Sequence, residues 1–134
     1  MVLPYVLTGE VVHGRSLGNT YDSPTANITP KEDIPDLPFG VYYSSVSIDG
    51  KEYPAITNLG VRPTVSDDGR VNAETFIYDY DNVLYGKTIS VKLLGFRRKE
   101  QRFSDVEELY KTVRLDLEEG RKYHGLASFS MASV

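Results

Sequence analysis

Polar and apolar positions alternate in short segments up to about residue 97, and one longer amphipathic segment follows. The clearest alternation runs from Thr88 to Leu94, where Ile89, Val91 and Leu93 are separated by polar residues, as in a half-buried strand. Other segments rich in β-branched and aromatic residues predict strands at Thr8 to His13, Gly40 to Ile48, Lys51 to Leu59 and Ala73 to Tyr80. Gly, Pro and Asp separate these segments and no helical crossover joins them, so the pattern predicts a small antiparallel barrel or sandwich.

Local signals predict one hairpin turn and one C-terminal helix. Asp49-Gly50 is a two-residue turn sequence between the second and third predicted strands. Ser104 and Glu107 have the spacing of a helix capping box. An apolar stripe at helical spacing follows, made of Val106, Leu109, Tyr110, Val113 and Leu117. Gly120 lies near the expected end of the helix, whose stripe we expect to pack over an open side or end of the barrel.

Composition narrows the class of protein. The chain has 134 residues, of which 40% are hydrophobic and 25% charged, and this suits a single folded domain. No apolar run approaches membrane-spanning length and the N-terminus lacks a basic signal region, so we expect a cytoplasmic protein without a membrane partner. The absence of cysteine excludes disulfides and Cys-ligated zinc. The net charge of −4 argues against a general nucleic-acid binder.

The segment from Gly14 to Asn27 is too long for a hairpin turn and contains candidate phosphate and metal ligands. Gly14 and Gly18 allow close approach of the backbone to a phosphate, but for these two glycines alone an ordinary surface loop is the better interpretation. Thr25 and Asn27 are two residues apart, so an extended backbone places both side chains on one face. Their oxygens are hard ligands that suit Mg²⁺. Composition alone favours the alternative, a turn in which Asn27 bonds the local backbone.

Several short motifs occur in an order that resembles the riboflavin kinase family. They are Gly9-Glu10-Val11-Val12-His13-Gly14, Pro24-Thr25-Ala26-Asn27-Ile28, Gly40-Val41-Tyr42, Asn58-Leu59-Gly60-Val61-Arg62-Pro63-Thr64, Glu74-Thr75, Leu84-Tyr85-Gly86 and Glu100-Gln101-Arg102-Phe103. Their order and spacing are more specific than any single motif. The resemblance implies an all-β fold with a C-terminal helix, a six-stranded antiparallel Greek-key β-barrel, which agrees with the pattern of elements. We expect the barrel and helix to occupy residues 1–124, and the small, serine-rich residues 125–134 to form a flexible tail.

The family transfers the γ-phosphoryl group of ATP to the 5′-hydroxyl of riboflavin and so makes FMN. By resemblance, this chain is expected to be an ATP:riboflavin 5′-phosphotransferase that acts on small-molecule substrates, with Mg²⁺ held by Thr25 and Asn27. The acidic charge balance predicts no nucleic-acid partner. The sequence does not distinguish ATP from CTP, which archaeal relatives use. In many bacteria the domain is half of a bifunctional enzyme, so the resemblance also implies an FAD synthetase domain as a partner in a longer parent chain.

Glu74 matches the catalytic carboxylate of the family, and its neighbours suit a proton acceptor. On an extended strand Glu74 shares a face with Phe76, Tyr78 and Tyr80. A carboxylate beside aromatic rings loses hydration, which makes it a better proton acceptor near neutral pH. Without the resemblance, a solvent-facing charge on an edge strand is the better interpretation, because exposed glutamates are common.

The resemblance also assigns ligand-binding positions. The nucleotide positions are Gly14, Asn19, Thr25, Ile77, Asp79 and Tyr85, and the flavin positions are Arg98, Gln101 and Phe103. Ile77 and Tyr85 suit the core equally well. Arg98 belongs to a short basic cluster with Arg97, Lys99 and Arg102, which is also typical of a solvated turn.

The phosphate loop departs from the family pattern at three positions. Asn19 stands where a cation is expected, Asp22 where a glycine is expected and Ser23 where an apolar residue is expected. A carboxylate at about 4 Å from a phosphate charge repels it by roughly 1 kcal/mol in water. An alternative is therefore a catalytically weak or inactive flavin- or nucleotide-binding domain. The kinase is favoured because Glu74 and the predicted metal ligands are retained.

Overall fold

The described part of the chain forms a β-barrel with one helix packed on its outside. The computed structural model describes residues 3–12, 25–30, 37–61, 71–80, 84 and 86–126. The elements are β1 (Tyr5–Val12), β2 (Thr25–Ile28), β3 (Gly40–Ile48), β4 (Lys51–Val61), β5 (Val71–Ile77), β6 (Thr88–Lys99) and α1 (Val106–Tyr123). The strands close in the order β1-β2-β5-β4-β3-β6, and all neighbours are antiparallel. Since β3, β4 and β5 are consecutive and β6 returns beside β3, the topology is a Greek key, and the predicted fold class is confirmed.

Five strands lie where the alternating pattern predicts them, with some differences at their ends. The bounds of β3 are those predicted, and the turn after it has φ of 50° at Asp49 and 84° at Gly50, as a type I′ hairpin requires. β6 continues beyond Leu94 to Lys99, because bulges keep this part paired with β3. β5 ends earlier than predicted: Asp79 has φ of 56° and turns the chain, so Tyr80 does not share the strand face of Glu74.

β2 is a strand that periodicity does not predict. Its residues, Thr25–Ile28, fall largely within the segment predicted to be a loop. Four residues are too few to show alternation, and β2 is defined by its pairing with the sequence-distant strands β1 and β5. Ala26 and Ile28 join the barrel core. Because side chains alternate along a strand, Thr25 and Asn27 project from the outer face.

The inward positions of all six strands fill the barrel. The largest fully buried apolar side chains there are Tyr42, Val46, Ile28, Leu59, Ile89, Val91 and Leu93. The buried hydroxyl groups of Ser44, Thr57 and Thr75 also lie inside the barrel. Thr57 makes 2.8 Å hydrogen bonds to both of the others. A second, smaller cluster lies outside the barrel, where Val41, Ile56, Phe76 and Tyr78 pack with Leu117 of α1. The helix therefore covers one side of the barrel, as predicted.

The start of α1 differs from its prediction by one residue. The N-cap is Asp105, not Ser104, and its carboxylate accepts a 2.7 Å hydrogen bond from the backbone N–H of Glu108. Asp105 and Glu108 have the same spacing as the predicted pair, and a charged cap also interacts favourably with the helix dipole. The Ser104 hydroxyl bonds the Glu108 side chain instead, at 2.7 Å. Val106, the first residue of the predicted stripe, is exposed.

Gly120 lies in the last turn of the helix, near its end as predicted. Gly120 is buried against Tyr78, whose hydroxyl donates a 2.7 Å hydrogen bond to the carbonyl oxygen of Leu117. A side chain at position 120 would overlap that hydroxyl, so this glycine allows close packing of helix and barrel. The helix ends at Tyr123, two residues before Gly125, which has φ of 71°.

The start of the predicted tail is also described. Leu126 packs against the outer apolar cluster, and its N–H bonds the carbonyl oxygen of Arg121 at 2.8 Å. Residues 127–134 lie outside the described residues, so the predicted flexible tail stays a prediction.

Candidate active site

A cavity of about 480 Å³ separates the outer face of the barrel from α1. Its volume falls within the roughly 300–1,000 Å³ that is typical of small-molecule sites. Its apolar walls come from both sides of the cleft and consist of Val41, Ile56, Phe76, Leu109, Val113 and Leu117. The segment from Arg98 to Phe103 closes one side with polar groups. The cavity therefore offers apolar surfaces for a ring system and polar groups at its margin.

Three neighbouring strands carry a row of polar side chains beside this cavity. Asn27 of β2 is opposite Glu74 of β5, and Glu74 is opposite Asn58 of β4. Opposed residues in antiparallel strands project from the same face, with Cβ atoms about 4.5–5.5 Å apart. Ala73 and Thr75, on either side of Glu74, point into the barrel. The row of Asn27, Glu74 and Asn58 therefore lies on the outer face, and Glu74 and Asn58 line the cavity.

Thr25 and Asn27 extend this polar group along β2. Thr25 lines the cavity and is opposite Phe76 in the strand register. Asn27 is only 4% exposed, and its Oδ1 accepts a 3.3 Å hydrogen bond from Asn72 Nδ2. A carboxamide oxygen has two lone pairs, so Asn27 Oδ1 keeps one for another partner. The predicted metal ligands and Glu74 thus occupy adjacent positions on one face.

The chemistry of this group fits a magnesium ion that is bound together with phosphates. The hydroxyl, carboxamide and carboxylate oxygens of Thr25, Asn27 and Glu74 are all hard ligands. Among the described residues, no group of three or more His, Cys, Asp or Glu side chains could hold a metal ion. Magnesium commonly takes few protein ligands and completes its shell with water and substrate phosphates. Thr25 and Asn27 could therefore act as ligands of a magnesium ion that takes its other ligands from water or phosphates.

Arg98 enters the cavity wall from β6 and is held by a carboxylate of α1. Its Nε and Nη2 atoms bond Asp116 Oδ1 and Oδ2 at 2.9 and 2.7 Å. Arg97 Nε also bonds Asp116 Oδ1, at 2.9 Å. The side chains are 8% exposed for Asp116, 18% for Arg97 and 23% for Arg98. The alternative of a solvated basic turn therefore does not describe Arg97 and Arg98, which belong to a strand and form part-buried ion pairs.

The other predicted flavin residues follow Arg98 along the chain. Gln101 and Phe103 both line the cavity, and Phe103 is half-buried. Two neighbours that the sequence did not single out for ligand contact, Glu100 and Arg102, line it as well. All three predicted flavin positions therefore meet at one cavity with Thr25 and Glu74.

Two predicted nucleotide positions lie elsewhere. Ile77 is a residue of the barrel core, the second of the two roles that its sequence position allowed. Asp79 is in the turn after β5, where its side chain is 65% exposed and forms a 3.4 Å ion pair with Arg121. Neither lines the cavity. Gly14, Asn19, Tyr85, Asp22 and Ser23 lie outside the described residues, so their predicted roles stay predictions.

Asp116 and three apolar helix residues are parts of the cavity that sequence reasoning missed. Leu109, Val113 and Leu117 were predicted as packing residues, and they also form a cavity wall. Asp116 directly precedes Leu117, a residue of the apolar stripe, and therefore lies at the edge of that stripe. An acidic residue at that edge, combined with the basic pair at the end of β6, was the available signal.

Comparison with known proteins identifies the family. The family model for riboflavin kinase, Flavokinase, matches residues 1–124. The chain belongs to the riboflavin kinase family. It is 37% identical over 118 residues to a bifunctional riboflavin kinase/FMN adenylyltransferase of Pseudomonas fluorescens, covering 88% of this chain and 38% of that protein. It is 33% identical over 112 residues to an RNA-binding riboflavin kinase, RibR, of Bacillus subtilis, covering 84% of this chain and 48% of that protein.

Two solved structures have a similar fold. A crystal structure described as a macrolide-efflux protein from Streptococcus pneumoniae matches with a TM-score of 0.75 and 32% identity, over 88% of this chain and 38% of that one. Riboflavin kinase from Trypanosoma brucei matches with a TM-score of 0.57 and 23% identity, over 90% of this chain and 79% of that one, which shows the fold alone. This chain spans less than half the length of the two relatives named above. Among the described residues, no helix is long and apolar enough to cross a membrane.

Proposed function

We propose that this chain is a riboflavin kinase that transfers the γ-phosphoryl group of ATP to the 5′-hydroxyl of riboflavin and yields FMN. The observation that carries the proposal is the convergence of Thr25, Asn27 and Glu74 on one outer barrel face, beside an apolar cavity large enough for a flavin. Membership of the riboflavin kinase family supports the same reaction. The small-molecule substrates and the dependence on Mg²⁺ belong to this proposal.

Riboflavin is proposed to bind with its ring system between the barrel and α1. The ring is planar and largely apolar, and the cavity offers Ile56, Phe76 and Leu117 to its faces. Phe103 adds a further aromatic surface at the margin. The ring also carries carbonyl oxygens at one edge, and Arg98 supplies N–H donors there. We propose that the sugar-alcohol chain of riboflavin then extends toward Glu74, which lines the same cavity.

Glu74 is proposed to orient the 5′-hydroxyl and to accept its proton. An alcohol is too weak an acid to be ionised beforehand by a carboxylate, and phosphoryl transfer has a loose transition state in which positioning dominates. The new bond joins the 5′-oxygen of riboflavin to the γ-phosphorus, while the bond from that phosphorus to the bridging oxygen of ADP breaks. The proton of the hydroxyl passes to the Glu74 carboxylate late in the step.

Thr25 and Asn27 are proposed to hold the magnesium ion of the nucleotide. When bound, the ion neutralises charge on the phosphates and so favours their approach to an incoming oxygen. Asn72 restrains the Asn27 carboxamide through the 3.3 Å hydrogen bond to Oδ1, which keeps that oxygen in a defined orientation.

We further propose, from the names of the bifunctional relatives, that an FAD synthetase domain accompanies this domain in a longer parent chain.

The test compares Glu74→Gln with wild type in the presence of riboflavin, ATP and Mg²⁺. We expect wild type to form FMN, and Glu74→Gln to lose about 10²-fold in kcat, the scale of a general base. Riboflavin affinity, measured by fluorescence quenching, should change little because the side chain keeps its size. The matched control is Glu52→Gln on β4, where the side chain is 62% exposed and pairs with Lys92 on the surface.

Two results would contradict the proposal at different points. Near-normal turnover by Glu74→Gln would show that Glu74 does not accept the proton of the 5′-hydroxyl. Wild-type protein that quenches riboflavin fluorescence but forms no FMN at high protein concentration would instead support the inactive binding domain. Replacing ATP by CTP in the same assay identifies the phosphate donor.

A further inference from the structure

One buried carboxylate of α1 is shared by two arginines of β6. Arg98 donates to both carboxylate oxygens of Asp116, at 2.9 and 2.7 Å, and Arg97 donates to one of them at 2.9 Å. Arg98 Nη1 also bonds the carbonyl oxygen of Lys99 at 3.1 Å, and Arg97 Nη1 bonds the Tyr43 hydroxyl at 3.4 Å. All three nitrogens of the Arg98 guanidinium are thus hydrogen-bonded.

The two arginines differ in their relation to the cavity. Arg98 lines it together with Asp116, whereas Arg97 is not among the lining residues. Both ion pairs connect β6 to α1, so both contribute to holding the helix on the barrel. Only the pair with Arg98 therefore connects the helix to a group that can meet a ligand.

The hydrogen bonds to Asp116 and to the Lys99 carbonyl oxygen fix the Arg98 side chain before a ligand binds. A free arginine side chain samples many rotamers, and binding would have to restrict them. A two-point contact with a carboxylate sets both the position and the plane of the guanidinium. Side chains that are preorganised in the free protein give tighter binding, because less ordering occurs on association.

We propose that Asp116 is a positioning residue that holds the Arg98 guanidinium in the orientation that riboflavin binding requires. The inference rests on the proposed function, since it assumes that riboflavin occupies this cavity. Asp116 acts on the ligand through Arg98 and does not take part in phosphoryl transfer.

The experiment is a double-mutant cycle with Asp116→Asn and Arg98→Met, read by riboflavin fluorescence quenching and by steady-state kinetics. Asp116→Asn should raise the Kd and KM for riboflavin about tenfold, the scale of a lost charge-assisted hydrogen bond, and leave kcat within about threefold. In the Arg98→Met background, Asp116→Asn should change the Kd by less than about twofold, because the group it positions is gone.

Arg97→Gln is the matched control for a purely structural effect. It removes the other ion pair of Asp116 and the bond to Tyr43, so it should lower Tm while leaving the riboflavin Kd unchanged. If the Kd follows Tm across Arg97→Gln and Asp116→Asn, Asp116 only holds the helix and the inference is overturned. A full effect of Asp116→Asn in the Arg98→Met background would also overturn it.

Asp116→Glu replaces Asp116→Asn in the cycle if the latter does not fold. Glutamate keeps the charge but moves it by one methylene, and the same dependence of the riboflavin Kd on Arg98 is expected. Failure of the proposed function has a different signature: wild type then forms no FMN, whatever substitution is made at position 116. If wild type binds riboflavin and forms FMN while the Asp116 variants bind equally well, only this inference fails.

Discussion

Replacing Gly120 by alanine should destabilise the protein, although alanine is the better helix former. Gly120 is a buried position inside α1, and an added Cβ would overlap the hydroxyl oxygen of Tyr78 and lie 3.0 Å from its ring carbon Cζ. Tyr78 is 1% exposed and its hydroxyl bonds the Leu117 carbonyl oxygen at 2.7 Å, so a shift of the ring would break this hydrogen bond and disturb its buried neighbours. Relieving the clash therefore requires the ring or the helix to move.

Three contributions to the free energy of unfolding determine whether Gly120→Ala stabilises or destabilises the protein. Alanine is favoured over glycine inside a helix by about 1 kcal/mol. Overpacking a tight contact costs about 1–3 kcal/mol, and losing the Tyr78 hydrogen bond costs about 1 kcal/mol more. The sum is a loss of about 1–3 kcal/mol in the free energy of unfolding. Because Val113 and Leu117 of α1 line the cavity, a displaced helix should also raise the riboflavin Kd.

Urea unfolding followed by circular dichroism measures the change, with an unchanged m-value as the sign that only stability has altered. Tyr78→Phe removes the oxygen that clashes, so the double variant Tyr78→Phe/Gly120→Ala should be more stable than the sum of the two single changes implies. A Gly120→Ala protein as stable as wild type, or strict additivity in the double variant, would refute the close contact between Gly120 and Tyr78.

Two further predictions concern the helix cap and the buried tyrosine. Asp105→Ala should lower stability by about 1 kcal/mol through loss of the N-cap bond to Glu108, whereas Ser104→Ala should cost under about 0.5 kcal/mol; thermal unfolding that gives the reverse order would assign the cap to Ser104. Burial raises the pKa of Tyr78 above its usual 10.0, so the folded state holds the phenolic proton more tightly and loses stability as the pH rises above that value. Above about pH 10, the free energy of unfolding of wild type should fall more steeply than that of Tyr78→Phe, by up to about 1.4 kcal/mol per pH unit; equal slopes would contradict the burial of this hydroxyl.

Local sequence signals located most of the barrel. The hairpin at Asp49 and Gly50 was predictable because two residues with positive φ need a specific dipeptide. β2 was not predictable from periodicity, since four residues carry too little pattern and their partners lie elsewhere in the chain. The packing role of Gly120 was likewise not predictable from the sequence, because it depends on a contact with Tyr78, which lies outside the helix.

The sequence predicted which residues belong to the candidate site, but not how they are arranged. The motifs singled out Asn27 and Glu74, but their adjacency depends on the register between β2 and β5, which no local pattern contains. The resemblance to riboflavin kinases supplied the roles. The bond between Arg98 and Asp116 joins residues 18 positions apart on a strand and a helix, and it required the three-dimensional structure.

The proposal that riboflavin binds between the outer barrel face and α1 is tested most directly by methyl NMR during a riboflavin titration. The methyl groups of Ile56, Val113 and Leu117 line the cavity, whereas those of Ile48 and Ile89 lie inside the barrel. We predict saturable shifts for the first group, with a midpoint equal to the Kd from fluorescence, and little change for the second. Saturable shifts confined to the barrel interior, or binding by fluorescence with no shift at the cavity methyls, would contradict it.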